Sequence, residues 1–204
     1  MDLILNHLPD NFQNIRITNA RGVYDDEMAE HTIALLLSLF RELHLIRDRQ
    51  AIACWQRSHL LRTIGNSTIM ILGWGSLGKA ISKKLLAFGC KIIVVSTTEP
   101  SENNTYVKWL SHQNWHRELA TIDALIIALP STPITQLMVN RSALTKLLPH
   151  AFVINVGRPN VLDEQVLYEM LQQQKLAGAA LDVFSDEPLD PNNIAWKIPN
   201  LIVS

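Results

Sequence analysis

The chain predicts an α/β fold in which helices wind a parallel sheet on both faces. Three features of the sequence point there. Apolar runs at residues 69–72, 91–95, 122–129, 151–156 and 178–184 are near-continuous rather than alternating, as strands covered on both faces must be. Stretches with helical spacing lie between them, so each strand returns to the sheet by a crossover, and right-handed crossovers wind the sheet doubly. The first of these runs also breaks directly into a glycine-rich turn and then a helix.

That turn reads Leu72-Gly73-Trp74-Gly75-Ser76-Leu77-Gly78, a G-x-G-x-x-G spacing. Beyond it Leu77, Ile81, Leu85 and Phe88 recur at helical spacing, and Gly89 leads into the next strand. A lone G-x-G-x-x-G says little; strand, turn, helix and second strand together form the context that a dinucleotide-binding fingerprint requires. Gly73 makes the turn, Gly75 lets the backbone approach a pyrophosphate, and Gly78 allows close packing of helix on strand. The N–H groups opening the helix, at Ser76 and Leu77, lie at the positive end of its dipole and suit an anion. A merely structural glycine turn is the alternative. The complete unit argues for a Rossmann-type nucleotide-binding fold.

Composition narrows the classes. The 204 residues carry 18 basic and 19 acidic side chains, interspersed, for a net charge of −1. No basic stripe suggests nucleic acid or an anionic membrane surface. Cys54 and Cys90 share no metal-ligand spacing and read as buried thiols of a reducing compartment. The start has no basic n-region, and the most apolar stretch, residues 33–40, is too short to span a bilayer. A cytoplasmic protein is expected.

Residues 1–18 hold two short apolar pieces around Pro9-Asp10-Asn11 and read as the tail of another domain. A long helix is expected from Asp25-Asp26-Glu27 to Arg47-Asp48-Arg49, acids at its start and bases near its end. Because residues 33–40 are apolar nearly all round, this helix is read as an element at a subunit or domain interface, with self-association into a homodimer expected through it, a core helix being the alternative. Residues 96–104, with Pro100, read as a loop, and Trp109 to His116 as weakly helical. His112 and His116 are four apart, but no third ligand stands at a motif-like spacing, so a solvated surface is preferred to a metal site. A strand then ends at Pro130. Helices at 137–148 and 163–174 flank the strand at 151–156, and a last strand begins at Leu201.

In such sheets ligands sit at the carboxyl ends of the strands. Those ends hold Gly73-Trp74-Gly75, Ser96-Thr97-Thr98, Leu129-Pro130-Ser131, Gly157-Arg158-Pro159, and Asp182 with Asp186-Glu187 beyond. Here the chain resembles the D-isomer-specific 2-hydroxyacid dehydrogenases. The resemblance rests on Ala29-Glu30-His31-Thr32, the glycine loop, Asn155-Val156-Gly157-Arg158, Leu162-Asp163-Glu164, and residues 177–184 with Glu187-Pro188. It covers residues 19 to 204. It implies a nucleotide-binding domain over 19–204, with 1–18 the remnant of a substrate domain. It also implies hydride transfer between nicotinamide and a 2-oxo or 2-hydroxy acid.

By position, the resemblance makes Arg158 the residue that grips the substrate carboxylate and keto oxygen, a task suited to a planar, permanently charged fork. It makes Glu187 the partner of a general-acid histidine, and Asp182 the acceptor for the nicotinamide amide. Cofactor contacts fall on Gly73, Gly75, Ser76, Leu77, Gly78, Ser96, Leu129, Pro130, Val156, Gly157 and Asp182. Two departures stand out. Pro159 replaces the glycine usual after the arginine, and the Pro-His pair that carries the catalytic histidine would lie just past Ser204. None of the seven histidines takes its place, so the chain alone is expected to be inactive. At the end of the second strand Ser96 stands where NAD readers place an acid, which leans towards NADP, although Glu99 could restore NAD. A non-catalytic nucleotide-binding module, or a truncated inactive paralogue, is the competing reading.

Overall fold

The computed structural model describes residues 22–57, 61–99 and 107–204; the segment 1–18 and most of the loop around Pro100 lie outside these. Two helices open the described chain, α1 (Asp25–Phe40) and α2 (Leu43–Ala51). Then follow β1 (Thr68–Leu72), α3 (Ser76–Leu86), β2 (Lys91–Ser96), β3 (Val107–Ser111) and β4 (Ala124–Ile127). The last part comprises α4 (Arg141–Leu144), β5 (Phe152–Asn155), α5 (Glu164–Gln172), β6 (Gly178–Leu181) and β7 (Leu201–Val203).

The seven strands are all parallel, in the order β3-β2-β1-β4-β5-β6-β7. The chain runs outwards from β1 to β3 and then restarts at β4 on the other side of β1, so the switch point falls between β1 and β4. Register decides what meets there. Leu72 pairs with both Val95 and Ile127, Ile127 with Asn155, and Asn155 with Leu181. Gly73, Ser96, Ala128, Val156 and Asp182 therefore emerge side by side along one edge.

Period-two alternation sends successive strand residues to opposite faces, and both faces are dry. On one, Ile69, Ile71, Val94, Ile126 and Ile154 pack against Leu36, Leu39 and Phe40 of α1 and Ile81 and Leu85 of α3. On the other, Met70, Leu72, Leu125, Ile127 and Val153 meet Leu144, Leu167 and Leu171. Burying a side chain of this size stabilises the fold by roughly 1.5–3 kcal/mol.

The structure corrects several expectations. The long helix breaks at Glu42, whose φ of 54° is left-handed, into α1 and α2. Ala29, Ile33, Leu35, Leu36, Leu39 and Phe40 are all buried within this one chain, against α3 and the sheet, so α1 is a core helix and needs no second copy to cover it. Exposed apolar side chains lie in the second half of the expected helix and just beyond it, at Leu43, Ile46, Ile52 and Trp55. Trp109 belongs to a strand rather than a helical region; β3 is too polar, with Lys108 and Ser111, to register as an apolar run. His112 follows that strand and His116 sits in a 3-10 turn (Trp115–Arg117), so they share no helix face. The helix expected at 137–148 shrinks to α4, started by Asn140, whose side chain accepts from the Ala143 N–H at 3.2 Å. Phe88 falls past the end of α3 and is 42% exposed. Cys90 is buried and its thiol pushed up to about 11 by that burial, whereas Cys54 is exposed.

Candidate functional site

The glycine loop is built by close backbone approach. Gly73 has a φ of +110°, and a Cβ there would stand 2.5 Å from the Ala128 carbonyl oxygen. A Cβ on Gly78 would come within 2.0 Å of the Gly73 carbonyl oxygen, so α3 can start against the turn only if that residue is glycine. Gly75 differs. Its backbone is extended, and nothing lies within 4 Å of where its Cβ would be. It is the N-cap of α3 yet supplies no side chain to the first-turn N–H groups, which begin at Ser76 and Leu77. An open space over uncapped helix N–H groups is what a pyrophosphate requires, so the residues present fit a dinucleotide.

The neighbouring wall is also main chain. A Cβ on Gly157 would stand 2.7 Å from the Leu129 oxygen and 2.8 Å from its nitrogen, so the ends of β4 and β5 touch. Leu129 is half-buried, Pro130 exposed and Val156 buried along this wall. Thr135 Oγ1 donates to the Pro130 carbonyl at 2.7 Å, and Asn160 Nδ2 donates to Ser131 Oγ at 2.6 Å, tying the two loops.

Arg158 is held by the fully buried Asn155, which accepts from the Gly157 N–H and donates to the Arg158 carbonyl, each at 3.1 Å. One guanidinium nitrogen donates to the Gly157 carbonyl at 3.0 Å. Pro159 opens a 3-10 turn (Pro159–Val161), a position where its missing N–H costs nothing. The proline is thus absorbed locally.

Glu187 is exposed and accepts from the buried Phe184's N–H at 2.9 Å; among the described residues no histidine bonds to it. Its loop is anchored by Glu164, which accepts from both the N–H and the hydroxyl of Ser185 at 3.0 Å. Burial raises the Glu164 carboxyl above its usual range, and burial likewise raises the phenol of Tyr168, 3.4 Å from the same carboxylate. The sequence shows Glu164 only as an acid in a first helical turn, with no task of its own. The exposed Ser185, twenty-one residues on, is what reveals it.

Ser96 does not act as the free donor its sequence position suggested. Its hydroxyl gives its hydrogen to the Thr98 carbonyl at 2.6 Å and accepts from the Trp109 indole at 3.0 Å. What remains is a strand end without charge, flanked by the exposed Thr97, Thr98 and Glu99. Asp182 stands 3.2 Å from His31 Nε2. A cavity of about 960 Å³ lies at the opposite, amino edge, lined in part by His44, Arg62 and His150. The nearby Asp123 takes Arg62 at 2.7 Å, the Thr68 N–H at 2.9 Å and His150 at 3.4 Å, which marks that edge as a structural tie.

A doubly wound parallel sheet with this loop at its switch point defines an NAD-binding α/β domain. The chain belongs to the D-isomer specific 2-hydroxyacid dehydrogenase family: residues 33–204 match its NAD binding domain. It is 30% identical over 197 residues to a glyoxylate reductase of Thermofilum pendens, covering 94% of this chain and 58% of that protein. It is 31% identical over 195 residues to a hydroxyphenylpyruvate reductase of Plectranthus scutellarioides, covering 94% and 60%. Among solved structures, the D-isomer specific 2-hydroxyacid dehydrogenase of Xanthobacter autotrophicus Py2, in complex with NADPH and MES, superposes with a TM-score of 0.86 at 27% identity, over 100% of this chain and 83% of that one. A probable 2-hydroxyacid dehydrogenase of Rhizobium etli, in complex with NADP, gives 0.83 at 25%, over 97% and 62%. The chain spans less than two thirds of the length of the curated relatives named here.

Proposed function

We propose that this chain is the nucleotide-binding part of an oxidoreductase that moves a hydride between a nicotinamide dinucleotide and a small 2-oxo or 2-hydroxy acid. The observation that carries the reading is Arg158, clamped by Asn155 at the same sheet edge as the open glycine loop. Gly75, Ser76, Leu77 and Gly78 would hold the pyrophosphate, with Leu129, Pro130, Val156 and Gly157 as the wall beside it. When bound, the dinucleotide supplies or takes the hydride. The chain's own part is electrostatic: the Arg158 fork binds the substrate carboxylate and opposes negative charge growing on the keto oxygen. Asp182 accepts from the nicotinamide amide.

The proton for that oxygen is the missing piece. Glu187 is bonded to Phe184 N–H, and the histidine it would orient is assigned to the position after Ser204. Residues 1–18 are assigned to a second, substrate-binding domain. NADP is favoured over NAD because Ser96 leaves the end of β2 uncharged. A homodimer is proposed on the exposed ridge of Leu43, Ile46, Ile52 and Trp55, the last 93% exposed, rather than on α1; sedimentation across a concentration series reads it directly.

General acid catalysis typically contributes about 10²–10⁴-fold, and enclosure by a second domain adds proximity to that. The purified chain is therefore expected to turn over glyoxylate, hydroxypyruvate and pyruvate barely or not at all, while a version extended at both ends oxidises NADPH or NADH with at least one of them. Equal turnover by the two would sink the assignment of the histidine. An extended version inert towards every such acid, yet binding dinucleotide, would favour a non-catalytic module.

A further inference from the structure

His31, Asp182 and Ser204 meet at the carboxyl edge of the sheet although α1, β6 and β7 are far apart in sequence. His31 Nε2 stands 3.2 Å from Asp182 Oδ1 and 2.9 Å from Ser204 Oγ. The backbones of the other two are fixed by the strand ladder: Asp182 N–H donates to the Asn155 carbonyl and Ser204 N–H to the Leu181 carbonyl, each at 3.0 Å. Only the Asp182 side-chain torsions are left to be set.

A serine, a histidine and an aspartate together invite comparison with a hydrolytic triad. The geometry excludes it. A triad places the carboxylate on one ring nitrogen and the hydroxyl on the other, so that a proton can cross the ring. Here both oxygens face the same nitrogen. Nε2 has its hydrogen-bond partner in Ser204 Oγ and stands in close contact with Asp182 Oδ1, where a ring hydrogen or a protonated ring attracts the carboxylate. That contact engages one carboxylate oxygen. The carboxylate keeps most of its acceptor sites, including the whole of Oδ2.

The pair does little for stability. Its side chains are 36% and 23% exposed, and ion pairs at such positions contribute little. We propose that His31 is a positioning residue for the nicotinamide: it locks the Asp182 carboxylate in the rotamer that accepts the carboxamide N–H, and so fixes how the ring is presented. This rests on the dinucleotide reading above and adds a residue to it.

The test separates the two halves of the cofactor. Calorimetry on the full chain would compare the tighter-binding reduced dinucleotide with its nicotinamide-free counterpart, ADP-ribose or 2′-phospho-ADP-ribose. His31→Leu removes the donor, and His31→Gln restores an N–H near Nε2. His31→Leu should weaken the dinucleotide about tenfold, roughly 1.4 kcal/mol of lost positioning, and leave the nicotinamide-free ligand unchanged. His31→Gln should recover most of the loss, with the melting temperature of both variants near wild type. Equal weakening of both ligands, no weakening of either, or a glutamine no better than leucine would overturn the positioning role. Wild-type chain that binds neither ligand would overturn the dinucleotide reading itself, and this one with it.

Discussion

Replacing Gly75 with valine separates binding from folding in a way no other glycine of the loop allows. The residue is exposed, its φ and ψ of −75° and −168° lie in the extended region that valine favours, and no atom stands within 4 Å of the added Cβ. The fold should be indifferent. A surface change of this kind stays within about 0.5 kcal/mol, or roughly 2 °C in melting temperature for a domain of this size. Binding should not survive. A phosphate oxygen must come within about 2.9 Å of the N–H groups opening α3, and valine carbons hold it off at roughly 3.5–4 Å. Losing two hydrogen bonds to a charged group, at about 1.5–3 kcal/mol each, costs roughly 10²–10⁴ in affinity. Calorimetry with NADH and NADPH, run beside thermal melts, should show heat of binding lost and melting unchanged. Gly78→Ala is the opposite control, since its Cβ would stand 2.0 Å from the Gly73 oxygen, and it should melt lower. Affinity within threefold of wild type in a well-folded Gly75→Val chain would refute the placement of the pyrophosphate.

Two further outcomes are expected. Because the end of β2 carries no charge at Ser96, NADPH should bind at least as tightly as NADH, and Ser96→Asp should reverse the order; fluorescence titrations in which wild type clearly prefers NADH would contradict this. Glu164, raised by burial, binds its proton more tightly folded than unfolded, so stability should fall as pH climbs from the ordinary carboxyl value through the raised one, the penalty being complete above it. Glu164→Gln keeps an oxygen for Ser185 and removes the titration. Its melting temperature should gain on wild type across that window, and a difference that stays flat from pH 4 to pH 8 would count against the shift.

The sheet was readable because burial on both faces writes itself into sequence as uninterrupted apolar runs, as at Ile69-Met70-Ile71-Leu72 and Ala124-Leu125-Ile126-Ile127. Where a strand is at the edge the signal fades. β3, at the end of the sheet, carries Lys108 and Ser111, and its sequence reads as weak helix. Periodicity also ran through the break at Glu42, because the polar residues around it do not forbid helix; a left-handed turn there is set by where α1 leaves the core. The glycine loop was legible residue by residue. Its side-chain partners were not. Ser96 with Trp109, Glu164 with Ser185 and His31 with Asp182 are pairings across the fold, and no local spacing encodes them.

That division has a physical cause in how the site is made. The glycine cradle consists of main chain against main chain: Gly73 on Ala128, Gly78 on Gly73, Gly157 on Leu129. Only the absence of a Cβ matters there, so glycine is the sole residue that fits and its spacing must survive wherever the cradle does. The chemistry proposed for the substrate is different, because it would depend on charged side chains at separate strand ends, each held by whichever neighbours the fold brings close. Arg158 is legible as a strand-end cation, yet its backbone is held by Asn155, and Asp182 lies against His31 of a helix that precedes the whole sheet. The nucleotide can therefore be read from one short stretch, whereas the acid it would reduce depends on contacts that no single stretch contains.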